Sequence, residues 1–282
     1  MRDIGAIGLG LILLNFACSY KGFSDPQFFE RYKFEVDSIL LHKEYGRLLS
    51  SGFLHGGWMH LIFNMLSLHA FSGLMEYDLG WRAFLLIYVA GLLGGNLLSL
   101  YLHRQHGDYS AIGASGAVCG VVFASIALFP GMEIGFFGLP FQMPSWLFGT
   151  GYVAYCIFGI KANRDNIGHD AHLGGALVGM VLAVLLHPSA LKANYLTLLV
   201  IALPTVAFLG LIIAKPHLLL IERPFAKAEQ RADTTVDRRF NEAKLQHQHE
   251  LDLLLDKISH NGIESLSATE RQKLEAYAKR GE

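Results

Sequence analysis

Two polar residues, each near the start of an apolar segment, have the clearest chemical potential in this chain. Ser115 lies in the run I-G-A-S-G-A-V-C-G, and His172 lies in the run A-H-L-G-G-A-L-V-G. A serine hydroxyl is a weak nucleophile at neutral pH unless an adjacent base takes its proton. An imidazole can take that proton and later deliver it to the leaving amine. The pair therefore predicts a hydrolase whose nucleophile and base lie inside the bilayer.

Both segments also carry small residues at helical spacing. Gly116 and Gly120 follow the serine. Ala171 directly precedes the histidine, and Gly175 and Gly179 follow it. Small residues four positions apart let two transmembrane helices approach closely. A hydrogen bond between a serine on one helix and a histidine on another requires such an approach, so we expect the two helices to pack together.

Taken alone, the serine has a simpler explanation than catalysis, whereas the histidine has less of one. A lone buried serine is usually a packing or capping residue. A lone histidine inside a membrane is costly to bury and is often functional. Because both occur in small-residue motifs that open a helix, the combination favours catalysis.

Acyl transfer also needs hydrogen-bond donors directed at the developing oxyanion. The segment H-G-G-W-M-H-L-I-F-N supplies His55, His60 and Asn64 as candidates. His60 and Asn64 are four residues apart and share one helix face. The backbone N–H of Ser115 is a third candidate, because amides in the first helical turn have no intrahelical partner. For His55, an interfacial or structural role is the favoured interpretation.

Metal catalysis is an alternative to a serine nucleophile. The candidate zinc ligands are His55, His60, His169, Asp170 and His172. The HExxH pattern of zinc proteases is absent. The three cysteines are Cys18, Cys119 and Cys156, and their scattered positions give neither a disulfide framework nor a metal spacing. We expect no metal and no cofactor, and we expect the cysteines to be small apolar packing residues.

The composition separates a membrane body from a polar tail. The 282 residues are 52% hydrophobic and 17% charged, whereas soluble globular chains are about 25% charged. Residues 222–282 hold 11 of the 23 Lys and Arg residues and 12 of the 24 acidic residues. The net charge of −1 argues against a nucleic-acid partner.

A helix that crosses a bilayer needs about 20 predominantly apolar residues. Seven segments meet or approach this length: about 4–20, 58–76, 83–103, 113–129, 145–160, 170–187 and 194–214. The first has no clear basic flank and no small-x-small cleavage site, so we expect an uncleaved span. The fifth is the shortest.

Two of the segments that connect the predicted spans have compositions that predict local structure. Residues 21–57 mix aromatic and apolar side chains with charges, which predicts a folded, partly interfacial element. Within it, Arg47 is either an anchor for the second span or a plain interfacial arginine. Residues 131–144 are rich in glycine, proline and phenylalanine and predict a non-helical hydrophobic turn.

These patterns divide the chain into two parts. Residues 1–215 are predicted to form a membrane-embedded domain with seven spans, and residues 216–282 a charged helical tail. The tail has a heptad-like apolar pattern at Leu245, Leu251, Leu254, Leu255 and Ile258, followed by a break at Asn261-Gly262. Ser267 and Glu270 then form a capping-box pattern ahead of a second short helix.

Taken together, three motifs make the chain resemble the rhomboid family of intramembrane serine proteases, in its bacterial form. They are H-x4-H-x3-N (His55, His60, Asn64), G-x-S-G (Gly113, Ser115, Gly116) and A-H-x2-G-x3-G (Ala171, His172, Gly175, Gly179). They fall on the second, fourth and sixth predicted spans, and the resemblance covers about residues 4–215.

The resemblance implies an all-α polytopic membrane helix bundle, with a six-helix core, a seventh span and the short helical tail. It makes Ser115 the nucleophile and His172 the base of a dyad without an acidic third member. His60, Asn64 and the Ser115 amide would form the oxyanion hole. Family members often carry an aromatic residue four positions after the serine, beneath the histidine; Cys119 occupies that position here.

The same resemblance implies an intramembrane serine endopeptidase that acts through an acyl-enzyme. Its partners would be the lipid bilayer and single-span membrane proteins with a helix-destabilised segment near the outer face. It implies a multi-pass protein, expected in a bacterial inner membrane, with the N-terminus in the cytoplasm and the tail outside. The distribution of Lys and Arg among the loops favours the reverse orientation.

Two other functions stay open at this point. One is a catalytically silent rhomboid-like protein that binds transmembrane helices without cutting them. The other is a small-molecule carrier, which would usually show repeated halves with matching broken helices; the sequence shows no such repeat.

Overall fold

The computed structural model describes residues 3–129, 131–135, 141–162 and 167–214, together with Lys257, Ser267 and Glu270. Within these residues, seven helices of at least 14 residues form at the seven predicted positions. They are α1 (Ala6–Ser24), α2 (Trp58–Leu79), α3 (Trp81–Leu102), α4 (Ser115–Leu128), α5 (Ser145–Ala162), α6 (His169–Leu186) and α7 (Tyr195–Ala214). The predicted all-α helix bundle is confirmed.

The largest difference from the predicted boundaries is the end of α1, which continues four residues past the apolar run to Ser24. The helix stops where Asp25 precedes Pro26, because a residue before proline is disfavoured in the helical region. Asp25 is extended, and its side chain accepts a hydrogen bond from the amide of Phe28. It therefore ends α1 and caps the next short helix.

Four of the described helices, α1, α3, α6 and α7, are long and apolar enough to cross a membrane by length and composition. Helix α4 has 14 residues and is about 21 Å long. That is shorter than the roughly 30 Å hydrocarbon core of a bilayer. It stays a prediction that the three other long helices, α2, α4 and α5, also cross the membrane.

Helix α4 is the centre of the bundle. Every residue from Gly116 to Ala127 is buried, and α2, α3 and α6 all pack against it. A helix that is apolar on all sides has to be enclosed by protein or lipid. Here the neighbouring helices enclose it.

Glycines allow the helices around α4 to pack at backbone distance. A Cβ atom built on Gly175 of α6 would lie 2.1 Å from the carbonyl oxygen of Gly116 on α4. One turn further on, a Cβ on Gly179 would lie 2.2 Å from the carbonyl oxygen of Gly120. The predicted close packing of these two helices through their small residues is therefore confirmed.

The segment between α1 and α2 is folded, as predicted. It contains the short helices Pro26–Tyr32, Val36–Leu40 and Arg47–Ser50, the 3-10 turn Ser51–Phe53, and strand β1 (Phe34–Glu35). Strand β1 pairs antiparallel with β2 (Ser110–Ala111), which lies shortly before α4. The folded segment is thereby joined to the chain that leads into the serine motif.

Arg47 stabilises this segment from within. Its Nη1 atom donates to the carbonyl oxygens of Glu30, at 2.7 Å, and Lys33, at 2.9 Å, and its Nε atom pairs with Glu44. These contacts lie inside the connecting segment. Whether Arg47 also anchors α2 or is a plain interfacial arginine stays a prediction.

The connection between α4 and α5 is non-helical in its described part, as predicted. Its strands β3 (Glu133–Gly135) and β4 (Gln142–Pro144) pair antiparallel. The pairing was not predicted, because strands of three residues leave no periodic pattern in a sequence. Residues 136–140 of the predicted turn, and Pro130 directly before it, lie outside the described residues.

Helix α7 begins against the end of α4. The side-chain amide of Asn194 donates to the carbonyl oxygens of Ile126, at 2.7 Å, and Ala127, at 3.2 Å. The last carbonyls of a helix have no intrahelical partner. Asn194 therefore satisfies the end of α4 and places the start of α7 beside it.

The chain divides into two compact units, Met1–Arg223 and Pro224–Glu282. In the second unit, the amide of Ser267 donates to Glu270 Oε2 at 2.7 Å, and the amide of Glu270 donates to Ser267 Oγ at 3.3 Å. These are the two bonds of the predicted capping box, which is confirmed. The apolar positions Leu245, Leu251, Leu254, Leu255 and Ile258 and the break at Asn261-Gly262 lie outside the described residues.

Candidate active site

The serine and the histidine lie in direct contact. Ser115 is the first residue of α4, and His172 lies in the first turn of α6. The Ser115 Oγ and His172 Nε2 atoms are 2.7 Å apart, a normal length for a hydrogen bond from a hydroxyl. His172 is buried, with 8% of the residue's surface exposed, and Ser115 is half-buried. This geometry suits transfer of the hydroxyl proton to the imidazole.

A glycine places the serine at the start of its helix. Gly113 has a φ of +123°, a conformation that L-residues with a side chain rarely adopt. Its amide donates to the Ser51 carbonyl at 3.0 Å. A Cβ at this position would also lie 2.8 Å from the His60 ring. The G-x-S-G motif therefore needs its first glycine for the backbone turn and for the space that His60 occupies.

The base has an aromatic neighbour that the sequence did not predict. The Tyr152 hydroxyl, on α5, is 3.0 Å from His172 Nδ1, and the two rings are inclined by 24° with centroids 6.2 Å apart. When Nε2 accepts from the serine, Nδ1 carries the ring proton and donates it to the tyrosine oxygen. Cys119 lies next to this contact, with its Sγ atom 3.3 Å from the same hydroxyl. The aromatic ring absent from position 119 is thus supplied by another helix.

The carboxylate closest in sequence to the base is engaged elsewhere. Asp170 is buried, and its Oδ2 atom accepts from Ser99 Oγ at 2.7 Å and lies 3.0 Å from His103 Nε2. Both partners belong to the C-terminal end of α3 or directly follow it. Asp170 therefore joins α6 to α3. Its contacts with Ser99 and His103 do not orient the His172 ring.

His60 lies on the other side of the serine motif. Its Nδ1 atom accepts a long hydrogen bond from the Gly56 amide, at 3.5 Å, so this tautomer places the proton on Nε2. The Nε2 edge of the His60 ring lies against Gly113. A Cβ atom built on Gly113 would lie 2.8 Å from His60 Nε2 and 3.7 Å from Ser115 Oγ. His60 can therefore direct an N–H toward the region beside the serine.

Asn64 lies one helical turn further into α2 and is buried. Its side-chain nitrogen donates to the carbonyl oxygen of His60 at 3.0 Å. A side-chain amide has two N–H donors, so the second one is left for another acceptor. Asn64 therefore lies on the same helix and the same face as His60, and one of its two N–H donors is already bonded to the His60 carbonyl.

His55 links α1 to the residue before the serine. Its Nδ1 atom is 2.8 Å from Ser19 Oγ, and its Nε2 atom accepts from the Ala114 amide at 3.5 Å. Burial, together with the nearby His60, lowers the pKa of His55 to about 3, so the ring is neutral at pH 7. His55 is therefore arranged as a structural link.

The five zinc ligands considered from the sequence do not form one cluster. Asp170 pairs with His103, and His55 bonds to Ser19. The structure instead brings His169 and His172 together with Cys156 of α5, and the ligand atoms of these three residues lie within 4.8 Å of one another. Cys156 was expected to be a packing residue.

A family model, the rhomboid domain, matches residues 42–189, which is more than half of the chain. The chain belongs to the rhomboid family. The matched segment includes the whole of α2 to α6 and all of the candidate site residues. It is shorter than the 4–215 covered by the resemblance, because α1 and α7 lie outside it.

The most informative relatives come from organelles and from bacteria. The yeast protein "Rhomboid protein 1, mitochondrial" is 31% identical over 157 residues, which are 53% of this chain and 45% of the relative. "RHOMBOID-like protein 12, mitochondrial" of Arabidopsis thaliana is 30% identical over 150 residues, 48% of this chain and 44% of the relative. YdcA of Bacillus subtilis, named as a candidate rhomboid protease, is 34% identical over 144 residues, 50% of this chain and 67% of YdcA. The chain thus spans less than half the length of the first two.

A second family model, described as a family of unknown function (DUF6576), matches residues 234–280. The tail therefore has relatives of its own.

Family membership and the long apolar helices identify an integral membrane protein. It is an intramembrane protease or a rhomboid-like protein.

Proposed function

We propose that this rhomboid protein is an active intramembrane serine endopeptidase. The observation that carries the proposal is the 2.7 Å contact between Ser115 Oγ and His172 Nε2. A hydroxyl and an imidazole are costly to bury among apolar helices, and proton transfer between them explains why they occur together. The silent rhomboid-like alternative gives no reason for a nucleophile and a base in contact.

The reaction begins when Ser115 Oγ attacks the carbonyl carbon of the scissile peptide. Its proton passes to His172 Nε2, and the carbonyl oxygen becomes an oxyanion. The Ser115 amide and the Nε2–H of His60 donate to that oxygen, with the second N–H of Asn64 as a further donor. During this step the imidazolium still donates from Nδ1 to Tyr152.

The tetrahedral intermediate then collapses as the C–N bond breaks. His172 delivers its proton to the leaving amine, and the acyl group stays on Ser115. A water molecule attacks the carbonyl carbon of this ester while His172 takes a proton from the water. As the bond between that carbon and Ser115 Oγ breaks, His172 returns the proton to Ser115 Oγ, and the second product leaves as a carboxylic acid. The histidine and the serine are then restored to their starting states.

The proposed substrates are transmembrane segments that unwind easily. A peptide bond in an intact helix is inaccessible to the serine, and extended backbone cannot lie unpaired in lipid. Glycine and proline lower the cost of unwinding a helix. We therefore expect cleavage near such residues, at the depth where the N-terminus of α4 lies.

A bacterial inner membrane is the proposed location, and the similarity to YdcA over 67% of that protein's length supports it. The mitochondrial relatives provide the alternative, an organelle membrane. Cell fractionation of the organism that carries this gene distinguishes the two.

The test of the activity is cleavage of a single-span substrate by purified protein in liposomes. We expect wild-type protein to cut it, and Ser115→Ala and His172→Ala to lose at least about 1,000-fold in rate. Ser125→Ala is the matched control, because this second serine is buried in the same helix and bonds only to the carbonyl of Val121 in the described structure. Unreduced cleavage by Ser115→Ala would contradict the proposal.

A further inference from the structure

A cluster of metal-binding side chains lies beside the proposed base. Cys156 belongs to α5, whereas His169 and His172 lie three residues apart on α6 and so share a helix face. All three residues are buried, with exposures of 0%, 2% and 8%. One ligand atom from each lies within 4.8 Å of the others.

The identity of the ligands selects the ion. One thiolate and two imidazoles suit Zn²⁺, which binds Cys sulfur at about 2.3 Å and His nitrogen at about 2.0–2.1 Å. In a tetrahedral site with those bond lengths, ligand atoms lie about 3.4–3.6 Å apart. Any two ligand atoms of the cluster therefore need to approach each other by at most about 1.2–1.4 Å. Mg²⁺ and Ca²⁺ prefer oxygen ligands, and they do not suit this set.

The ring of His169 is held against the neighbouring helix. A Cβ built on Gly159 would lie 2.1 Å from His169 Nε2, so the imidazole occupies space that only glycine leaves on α5. The Tyr155 ring meets the imidazole edge-on, with centroids 4.9 Å apart. Because Gly159 and Tyr155 lie on the same helix as Cys156, the packing fixes His169 relative to the thiol.

Binding at this cluster must disturb the base. His172 Nε2 is hydrogen-bonded to Ser115, and Nδ1 is hydrogen-bonded to Tyr152. If the ion takes Nε2, the serine loses its proton acceptor. If it takes Nδ1, the tyrosine contact is lost and the one proton of the neutral ring moves from Nδ1 to Nε2, which then can no longer accept the serine proton. In either case the thiol of Cys156 gives up its proton to solvent.

We infer that Cys156, His169 and His172 form a Zn²⁺ site that inhibits this protein by capturing its catalytic base. The inhibition rests on the proposed protease activity, whereas the binding does not.

Binding is measured first, on the Ser115→Ala protein, which keeps all three ligands. The purified full-length chain is dialysed against micromolar Zn²⁺, and its metal content is determined by mass spectrometry. The chain has 13 histidines, so the informative quantity is a difference between variants. We expect the further substitution Cys156→Ala or His169→Gln to remove one equivalent of zinc. An unchanged zinc content in both variants would overturn the site, whether or not the protein is a protease.

The matched control is Cys18→Ala, which removes a free cysteine from α1 and is expected to leave the zinc content unchanged. Thermal unfolding of each variant is compared, and Cys156→Ser replaces Cys156→Ala where the alanine protein does not fold.

Inhibition is measured next, by titrating Zn²⁺ into the liposome cleavage assay. We expect wild-type protein to be inhibited, and excess chelator to restore cleavage. Loss of one ligand is expected to raise the half-inhibiting concentration at least about tenfold in Cys156→Ala and His169→Gln, without loss of basal activity. Cys18→Ala should follow wild type, and Mg²⁺ should not inhibit. Equal sensitivity of wild type and both ligand variants to Zn²⁺ would refute the inhibitory role.

Discussion

The closest backbone approach between α4 and α6 yields the sharpest quantitative prediction. Gly175 lies one turn after His172, and Gly116 directly follows Ser115. A Cβ on Gly175 would lie 2.1 Å from the Gly116 carbonyl oxygen. The substitution Gly175→Ala therefore acts at the contact that sets the distance between the nucleophile and the base.

The size of the effect follows from contact distances. A methyl carbon and a carbonyl oxygen need about 3.4 Å, so the two helices must separate by about 1.3 Å. The same shift at the dyad lengthens the 2.7 Å Ser115–His172 bond to about 4 Å, where it no longer exists as a hydrogen bond. Misplacement of a catalytic group by about 1 Å costs about 100-fold in rate. Overpacking costs about 1–3 kcal/mol of unfolding free energy, and the higher helix propensity of alanine offsets up to about 1 kcal/mol of that.

We therefore expect Gly175→Ala to fold with slightly reduced stability and to cleave about 100-fold more slowly. The assay is cleavage of a single-span substrate in liposomes, with thermal unfolding measured on the same preparations. Gly10→Ala is the matched control, because this exposed glycine of α1 has no atom within 4 Å of the added methyl group; we expect it to retain wild-type activity. A folded Gly175→Ala protein that cleaves within about threefold of wild type would refute the reasoning.

Three further predictions concern contacts around the dyad and the bundle. Tyr152→Phe removes the hydroxyl at His172 Nδ1 and should lower kcat about two- to tenfold with little change in KM, since a neutral hydrogen bond contributes about 0.5–1.5 kcal/mol; steady-state kinetics checks this, and an unchanged kcat would contradict it. Asn194→Ala leaves the last carbonyls of α4 unsatisfied and should lower the unfolding free energy by about 1–3 kcal/mol, measured by thermal unfolding in detergent. Because the folded-state pKa of His55 is about 3 and its unfolded value is about 6.5, the unfolded chain binds the proton first as the pH falls. Its stabilising contribution is therefore present above pH 6.5 and decreases by up to about 1.4 kcal/mol per pH unit below it; His55→Gln should show a shallower loss of stability between pH 6.5 and pH 4, and an identical pH slope would rule this out.

The parts of the site that local sequence patterns encode were predictable. Ser115 and His172 each open an apolar helix, and the glycines that follow them at helical spacing indicate which helix faces meet. The three-dimensional arrangement agrees because backbone contact at Gly175 and Gly179 leaves little freedom in how α4 and α6 pack. The serine, the histidine and these glycines could therefore be identified without knowing how the other helices pack.

Tyr152 and Cys156 could not be predicted in the same way. Both lie on α5, whose sequence is apolar on every side and gives no indication of the face that meets α6. The sequence does not distinguish Tyr152 from Tyr155, whose ring the structure places against His169. The contact of β1 with β2 was also unpredictable, because two-residue strands paired across more than 70 residues carry no local signal.

The central claim is that His172 activates Ser115 as a nucleophile, and covalent labelling tests it most directly. Purified protein in liposomes is treated with a fluorophosphonate, and the modified residue is located by mass spectrometry. We predict one adduct on Ser115 in wild-type protein, its absence in Ser115→Ala, and at least about 100-fold slower labelling in His172→Ala. Labelling of His172→Ala at the wild-type rate, or an adduct on another residue that accounts for cleavage, would contradict the account.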